Sequence, residues 1–288
     1  MANLTRREAL AAAAATVTLG MRGLQAAPQE RVVKNGRLKQ SVSRWCYQRI
    51  PMPDFCKAVA GMGLTAIDLL EEPDWKVVQD YGLICSMGYA GGGSIANGLN
   101  VKANHDAIVR NFEEKIPKAA AMKVPNVITF FGNRRGMSDS EAIANCVEGL
   151  NRVKAIGEQS GVTICVELLN SKVDHKDYHG DHTAFGIEIM KAVNSPRVKL
   201  LNDLYHMQIM EGDLIRNIRA GKDYFAHYHT GGVPGRHELD ATQEVQWASV
   251  AKAIVDTGFQ GYFAHEFTPS AGRDPLTSLR EAVVLCDV

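Results

Sequence analysis

Val162-Thr-Ile-Cys-Val166 is an apolar, partly β-branched run that closes on an acid, Glu167. The pattern recurs three times downstream. Val198-Lys-Leu-Leu-Asn202 closes on Asp203, Tyr224-Phe-Ala-His-Tyr228 on His229, and Gly261-Tyr-Phe-Ala-His265 on Glu266. Short apolar runs bounded by turn residues read as buried strands, and helical patterns separate these four. Strand and helix in alternation predict a parallel sheet, because parallel neighbours need a long crossover between them.

Working outward, the same alternation runs from Leu38 to the C-terminus. The predicted strands are 40–46, 65–70, 83–87, 126–131, 162–167, 198–203, 224–229 and 261–266. The predicted helices are 53–62, 75–81, 104–122, 138–160, 184–194, 213–220, 243–257 and 274–286. Ser138-Asp-Ser-Glu141 is a capping box, and Gly161 stands where that helix should end. Pro53, Pro73 and Pro275 sit near helix starts, where a missing N–H costs little. Eight strands, each followed by a helix, predict a single α/β domain, a (β/α)8 TIM barrel over residues 38–288. An open doubly wound sheet is the runner-up. It finds no dinucleotide fingerprint: Gly91-Gly-Gly93 lacks the spacing and reads as a flexible loop.

Residues 1–37 differ from the rest. Thr5-Arg6-Arg7 precedes a modest Ala-rich apolar stretch and Leu24-Gln-Ala-Ala27, which together resemble a twin-arginine (Tat) export signal followed by a linker. Periplasmic or other export is therefore expected, with a cytoplasmic protein as the alternative. The stretch is too short and weak for a stable membrane span, so none is expected in the mature protein. Lys+Arg and Asp+Glu both number 32 in the 288 residues, a balance that argues against a broad nucleic-acid-binding face. The six cysteines form no C-x-x-C pair and read mostly as buried free thiols.

In a barrel, residues at the carboxyl ends of strands face the active-site mouth. Glu167, Asp203, His229 and Glu266 should converge there. A buried carboxylate must meet a cation, a donor or water, and four such residues at successive strand ends point to a metal site. Three carboxylates and one imidazole suit one divalent ion, Mn²⁺, Mg²⁺ or Co²⁺, better than structural zinc. His227 lies one layer deeper and reads as a partner of the ligands, and His265 as a packed residue on the other side of its strand. Around the cluster, His206 and Arg236 are expected to bind substrate oxygens, with Glu238 orienting the Gly/Pro-braced loop that carries the arginine. The loop 170–182 holds His175, His179 and His182 and reads as a lid or as a solvated loop. Glu71-Glu72 could enter the mouth or start a helix.

Cys165-Val-Glu-Leu-Leu-Asn170, Asp203-x-x-His206, His227-Tyr-His229, Pro234-Gly-Arg-His-Glu-Leu-Asp240 and His265-Glu-Phe267 resemble the xylose-isomerase-like TIM-barrel superfamily. The likeness is greatest to its hydroxypyruvate isomerase branch and the ketose 3-epimerases. It implies that Glu167, Asp203 and Glu266 bind the metal and that the two glutamates also carry protons. Histidine at position 229 follows the epimerases, whereas hydroxypyruvate isomerases commonly use glutamine. Leu239 stands where family loops have proline. The expected activity is a metal-dependent isomerase (aldose–ketose type) or epimerase on a small hydroxy-carbonyl compound, a hydroxy-keto-acid or a sugar. Proton transfer would run through a metal-stabilised enediolate. The alternatives are a lyase or dehydratase on a keto-sugar or keto-glycoside, and an exported sugar-binding protein without catalysis. A metal-dependent phosphodiesterase of the endonuclease IV type shares the barrel, but neutral charge disfavours it. A homo-oligomer stays open.

Overall fold

Nine parallel strands build the sheet in the computed structural model, which describes residues 31–288 as one unit. The leader assignment falls on residues outside those described. The strands are β1 (Lys39–Ser43), β2 (Ala66–Asp68), β3 (Ile84–Cys85), β4 (Gly88–Gly92), β5 (Asn126–Phe130), β6 (Thr163–Leu168), β7 (Val198–Asp203), β8 (Phe225–Thr230) and β9 (Tyr262–His265). Their order is β3-β2-β1-β9-β8-β7-β6-β5-β4, so first and last strands come back beside each other. A bridge between Leu70 and Gly88 and the bond from Tyr89 N–H to Leu70 O, 3.0 Å, nearly close the barrel.

The expected count was eight. The difference lies in the third position, where one run of chain is divided. β3 pairs with β2, the chain bends at Ser86–Met87, and β4 continues upward to pair with β5. The expectation of a flexible loop at Gly91–Gly93 is corrected with it, because Gly91 and Gly92 belong to β4. A Cβ on Gly92 would lie 2.7 Å from Ile128 O and 2.8 Å from Phe112 Cζ and Thr129 Cβ. The glycine is there because a helix and the next strand press directly on the backbone, not to make a turn.

The helices are α1 (Met52–Met62), α2 (Glu72–Gln79), α3 (His105–Ala121), α4 (Asp139–Ser160), α5 (Thr183–Val193), α6 (Leu204–Met210), α7 (Leu214–Gly221), α8 (Trp247–Asp256) and α9 (Pro275–Cys286). Helix α3 buries Ile108, Phe112, Ile116 and Ala119 at helical spacing, which faces one stripe onto the sheet. Each such large side chain contributes about 1.5–3 kcal/mol by leaving water. Ser138 caps α4 by accepting from Glu141 N–H at 3.2 Å, and Gly161 ends it at φ 70°. Glu71 and Glu72 start α2, and Glu72 pairs with Lys118 at 3.2 Å; neither enters the mouth.

Helix α6 was not expected. It begins where β7 ends, and its N-cap is the candidate ligand Asp203, whose Oδ1 accepts from Tyr205 N–H (2.8 Å) and His206 N–H (3.2 Å). His206 is thus carried on a helix. All six cysteines are free, and Cys46 alone is not fully buried. Among the described residues, no helix is long and apolar enough to cross a membrane.

Candidate active site

The four strand-end residues meet at the carboxyl end of the barrel. Register brings them there: Phe130 pairs with Glu167 and Asp203 with His229, while Glu266 N–H donates to Thr230 O at 3.0 Å. One donor atom from each of Glu167, Asp203, His229 and Glu266 lies within 4.8 Å of the others, and all four residues are buried. His229 Nδ1 is 2.6 Å from Glu266 Oε2, 3.4 Å from Glu167 Oε1 and 3.9 Å from Asp203 Oδ2.

A residue the sequence reading passed over fixes that imidazole. Asp68, at the end of β2 and fully buried, takes His229 Nε2–H on Oδ2 at 2.8 Å. Its Oδ1 accepts from Ser86 Oγ at 2.5 Å and lies 3.2 Å from His227 Nε2. With Nε2–H committed to Asp68, His229 turns Nδ1 toward the carboxylates, where it carries a proton when no cation is bound and can ligate one when that proton leaves. That atom is buried and has no aligned hydrogen bond of its own. A metal-binding histidine characteristically donates its second N–H to a carboxylate, which sets the tautomer. His227 sits one layer below, packed edge-on to His229 with ring centroids 5.1 Å apart.

Arg236 supplies the positive charge on the other side. Its Nη2 donates to Glu266 Oε2 (2.7 Å) and Asp203 Oδ2 (3.1 Å), its Nε to Glu266 O (3.2 Å), and Nη1 lies 3.2 Å from His206 Nε2. The guanidinium is held near the Trp45 and Tyr205 rings, 5.4 and 5.1 Å from their centroids. Trp45 Nε1–H donates to Glu266 Oε1 at 2.5 Å. His206 is fully buried behind Arg236, with Asn170 Nδ2 2.6 Å from its Nδ1, and does not line the cavity. Burial and the neighbouring guanidinium push His206 well below the usual imidazole range, so it is neutral.

Glu238 is not brought to this cluster. Its carboxylate accepts from Ser270 N–H (2.9 Å), Ser270 Oγ (2.6 Å) and Ser278 Oγ (2.8 Å). It therefore ties the arginine loop to the segment before α9 and has no oxygen left facing substrate. Two residues earlier, Arg236 adopts φ 56°, and the Gly232–His237 bridge folds the loop so that 236 and 238 point to different places. The loop 170–182 is neither loose nor purely solvated. Tyr178 OH donates to Glu167 O and accepts from Phe131 N–H, both at 2.9 Å. Of its histidines only His175 reaches the cavity; His179 is buried beside Asp139 (3.0 Å), and the half-exposed His182 pairs with Asp181 (2.7 Å). His265 packs between the sheet and α9, its Nε2 2.8 Å from Gln40 Oε1 while Gln40 Nε2 donates to Val283 O, and burial lowers its pKa to about 3.

The electrostatics show what the cluster requires. Burial pushes Asp203 up to about 7 despite Arg236, and burial likewise raises Glu167. For Glu266 burial is outweighed by His229 and Arg236, which hold it well below the usual carboxylate range. Burial would also depress His229, but Glu266 and Asp68 raise it well above its ordinary value. Three buried carboxylates outnumber the Arg236 guanidinium and the His229 imidazolium, so they ionise together only with further positive charge. Three oxygens and one ring nitrogen at this spacing fit a divalent cation, which would supply it.

A cavity of about 300 Å³ opens above the cluster, with Glu167 and Glu266 in its wall and Asp203 and His229 beneath. A larger cleft, about 540 Å³, lies at the amino-terminal ends of the strands around Lys39, Arg197 and Lys222. Size does not decide between them, because that cleft holds no acid–imidazole cluster.

A parallel barrel with such a cluster at its mouth defines a class of protein, and comparison gives the family. The family model described as xylose isomerase-like TIM barrel matches residues 59–284, so the chain belongs to that family. A Danio rerio protein named as a hydroxypyruvate isomerase is 28% identical over 130 residues, 44% of this chain and 46% of that one. The D-psicose 3-epimerase of Ruminiclostridium cellulolyticum is 31% identical over 119 residues, 40% and 38% of the two chains. This chain thus spans about half or less of these relatives' length. Among solved structures, the 3-keto-D-glucoside 4-epimerase of E. coli superposes with a TM-score of 0.72 at 16% identity, covering 86% of this chain and 98% of that one. A Brucella melitensis protein titled AP endonuclease, family 2 gives 0.74 at 20% identity, covering 84% and 97%. At these identities the superpositions speak for the fold.

Proposed function

We propose that this chain is a divalent-metal-dependent isomerase or epimerase acting on a small hydroxy-carbonyl compound. Glu167 and Glu266 would carry the proton, and Glu167, Asp203, His229 and Glu266 would hold the ion. The observation that carries the reading is double membership: Glu167 and Glu266 belong to the cluster and also line the cavity above it. Relatives named as isomerases and epimerases support it. A bound divalent ion would polarise the substrate carbonyl and make the neighbouring C–H more acidic.

The chain's own residues then have separate tasks. One glutamate removes the proton beside the carbonyl, and the other returns it to the adjacent carbon or to the opposite face. Arg236 and Trp45 fix the Glu266 carboxylate through both oxygens, so it approaches the substrate from one direction. Asp68 keeps His229 in the tautomer that aims Nδ1 at the cluster. Manganese or magnesium suits the oxygen-rich donor set. Export by the Tat-like leader is part of the proposal, since that route carries folded proteins with their metal.

Glu167→Gln and Glu266→Gln test the assignment. Each should lower exchange of the substrate's α-proton with solvent by at least about 100-fold at saturating cation, since glutamine keeps an oxygen donor but cannot take the proton. Undiminished exchange in either variant removes that residue from its role.

A further inference from the structure

The cleft at the amino-terminal ends of the strands lies at the opposite end of the barrel from the acid–imidazole cluster. Lys39 and Tyr262 open β1 and β9, and Arg197 stands just before β7. With Lys222, which follows α7, three cations line one space of about 540 Å³, and Asp223 is the only acid among its lining residues. These cations keep donors in hand. Lys39 Nζ donates to Gln260 O at 3.0 Å, and Arg197 Nη1 makes a long bond to Thr163 Oγ1 at 3.4 Å. Lys222 has no hydrogen-bond or ion-pair partner among the described residues. An ammonium offers three N–H groups and a guanidinium five, so most of them stay unused. A cation after a helix end offsets the helix carbonyls, which accounts for Lys222 alone. It does not account for Lys39 and Arg197, which come from other elements to the same cleft.

Three cations against one carboxylate leave the lining with a positive surplus. A phosphate monoester, with a charge of about −1.5 to −2 near neutrality, matches that surplus better than a single carboxylate does. The guanidinium fork takes two phosphate oxygens at once, and the ammonium groups act on the remainder as point charges. The rest of the lining asks for more than phosphate. Ile84, Phe225, Phe259 and Tyr262 add apolar and aromatic surface, and Lys39 Nζ lies 5.9 Å from the Tyr262 ring centroid, so charge and ring adjoin. A cleft of this volume is in the range that holds small organic ligands.

We propose that the barrel floor is a second binding site, for a small organic phosphate. Its phosphate would lie among Lys39, Arg197 and Lys222, and its organic body against Phe259 and Tyr262. The site is independent of the isomerase or epimerase reading and stands or falls without it.

Phenyl phosphate, inorganic phosphate and phenol separate the two halves of such a ligand. Binding of each to the full chain in Mg²⁺ would be measured by calorimetry and located by amide NMR shifts. Phenyl phosphate should bind at least about ten-fold more tightly than phenol and about three-fold more tightly than inorganic phosphate. The shifts should fall at Lys39, Thr163, Lys222 and Tyr262. No binding of phenyl phosphate, or shifts confined to the strand-end cluster, overturns the proposal. Equal affinity for the two phosphates overturns the assignment to an organic phosphate. Arg197→Gln combined with Lys222→Gln should weaken phenyl phosphate by at least about ten-fold. Lys102→Gln removes a cation paired with Glu148 at 2.5 Å, away from the cleft, and should change the affinity by less than about two-fold. Lys222 is exposed, so Lys222→Glu keeps the test open if the double variant does not fold, and it should weaken binding by about five-fold or more. Unchanged affinity in a folded variant of either kind contradicts the proposal.

Discussion

Replacing Asp68 by asparagine should weaken metal binding at the strand-end cluster although Asp68 is not one of its four donors; with His227 and His229 it forms an adjoining group of possible ligands one layer deeper. The side chain is fully buried and its charge meets His229 Nε2 at 2.8 Å, Ser86 Oγ at 2.5 Å and His227 Nε2 at 3.2 Å. Asparagine keeps an acceptor for His229 but loses the charge that fixes the tautomer and makes the ring nitrogen more basic. Changes to such supporting carboxylates typically cost about 10–100-fold in affinity. That corresponds to about 1.4–2.7 kcal/mol of binding free energy. Titration calorimetry with Mn²⁺ on wild type and Asp68→Asn reads the difference, and thermal melting of the metal-free proteins separates it from loss of fold. Ser86→Ala is the control, since it removes one hydrogen bond to Asp68 and leaves the charge; it should cost less than about three-fold. If Asp68→Asn binds Mn²⁺ within about two-fold of wild type, the account of how His229 is aimed is wrong.

Two further predictions concern the scaffold. Asp287 ties the first described residues to the chain end by accepting from Lys34 N–H (2.5 Å), Asn35 N–H (2.8 Å) and Gly36 N–H (2.8 Å). Burial would raise its pKa, but these three donors hold it below the usual aspartate value. Its stabilisation is therefore complete above the unfolded aspartate pKa, near 3.9, and is lost as pH falls through the lower folded value. Asp287→Ala should cost about 1–2 kcal/mol at pH 7 after allowing for partial solvent screening, and the gap in denaturant midpoint should shrink below about pH 4. A gap that persists at pH 2 contradicts this. Gly92→Ala should destabilise by about 1–3 kcal/mol through overpacking against Ile128 O and Phe112, read as a lowered urea midpoint; an unchanged midpoint would show that β4 and α3 are not so closely packed.

Much of this architecture was legible because the barrel repeats one local rule. Each apolar run ending in a polar residue marks a strand and its mouth-facing end, so Glu167, Asp203, His229 and Glu266 could be read without knowing their partners. Asp68 could not. It lies within the predicted strand 65–70, two residues short of its expected end, and its partners His227 and His229 lie some 160 residues away in the sequence, with no local trace. Glycines misled for a related reason: Gly92 signals conformational freedom locally, whereas the packing of α3 and β5 demands its lack of a side chain, and Gly91, at φ 71°, uses that freedom inside a strand. Helix α6 is only seven residues long, too short for periodicity, and its one cue was an aspartate already read as a ligand. Glu238 shares a loop with Arg236, but the reversal of backbone at Arg236 sends the two side chains apart. Spacing along a sequence cannot show that reversal.

The central claim is that the Glu167–Asp203–His229–Glu266 cluster uses a divalent ion to move a proton next to a carbonyl. Deuterium uptake from D₂O into a panel of keto-acids, ketoses and keto-glycosides, followed by NMR with Mn²⁺ and after exhaustive chelation, tests it most directly. The account predicts uptake at the carbon beside the carbonyl with Mn²⁺, its loss on chelation and its return when the ion is restored. Uptake that survives complete chelation, or none in the Mn²⁺-bound protein with any compound of the panel, would contradict it.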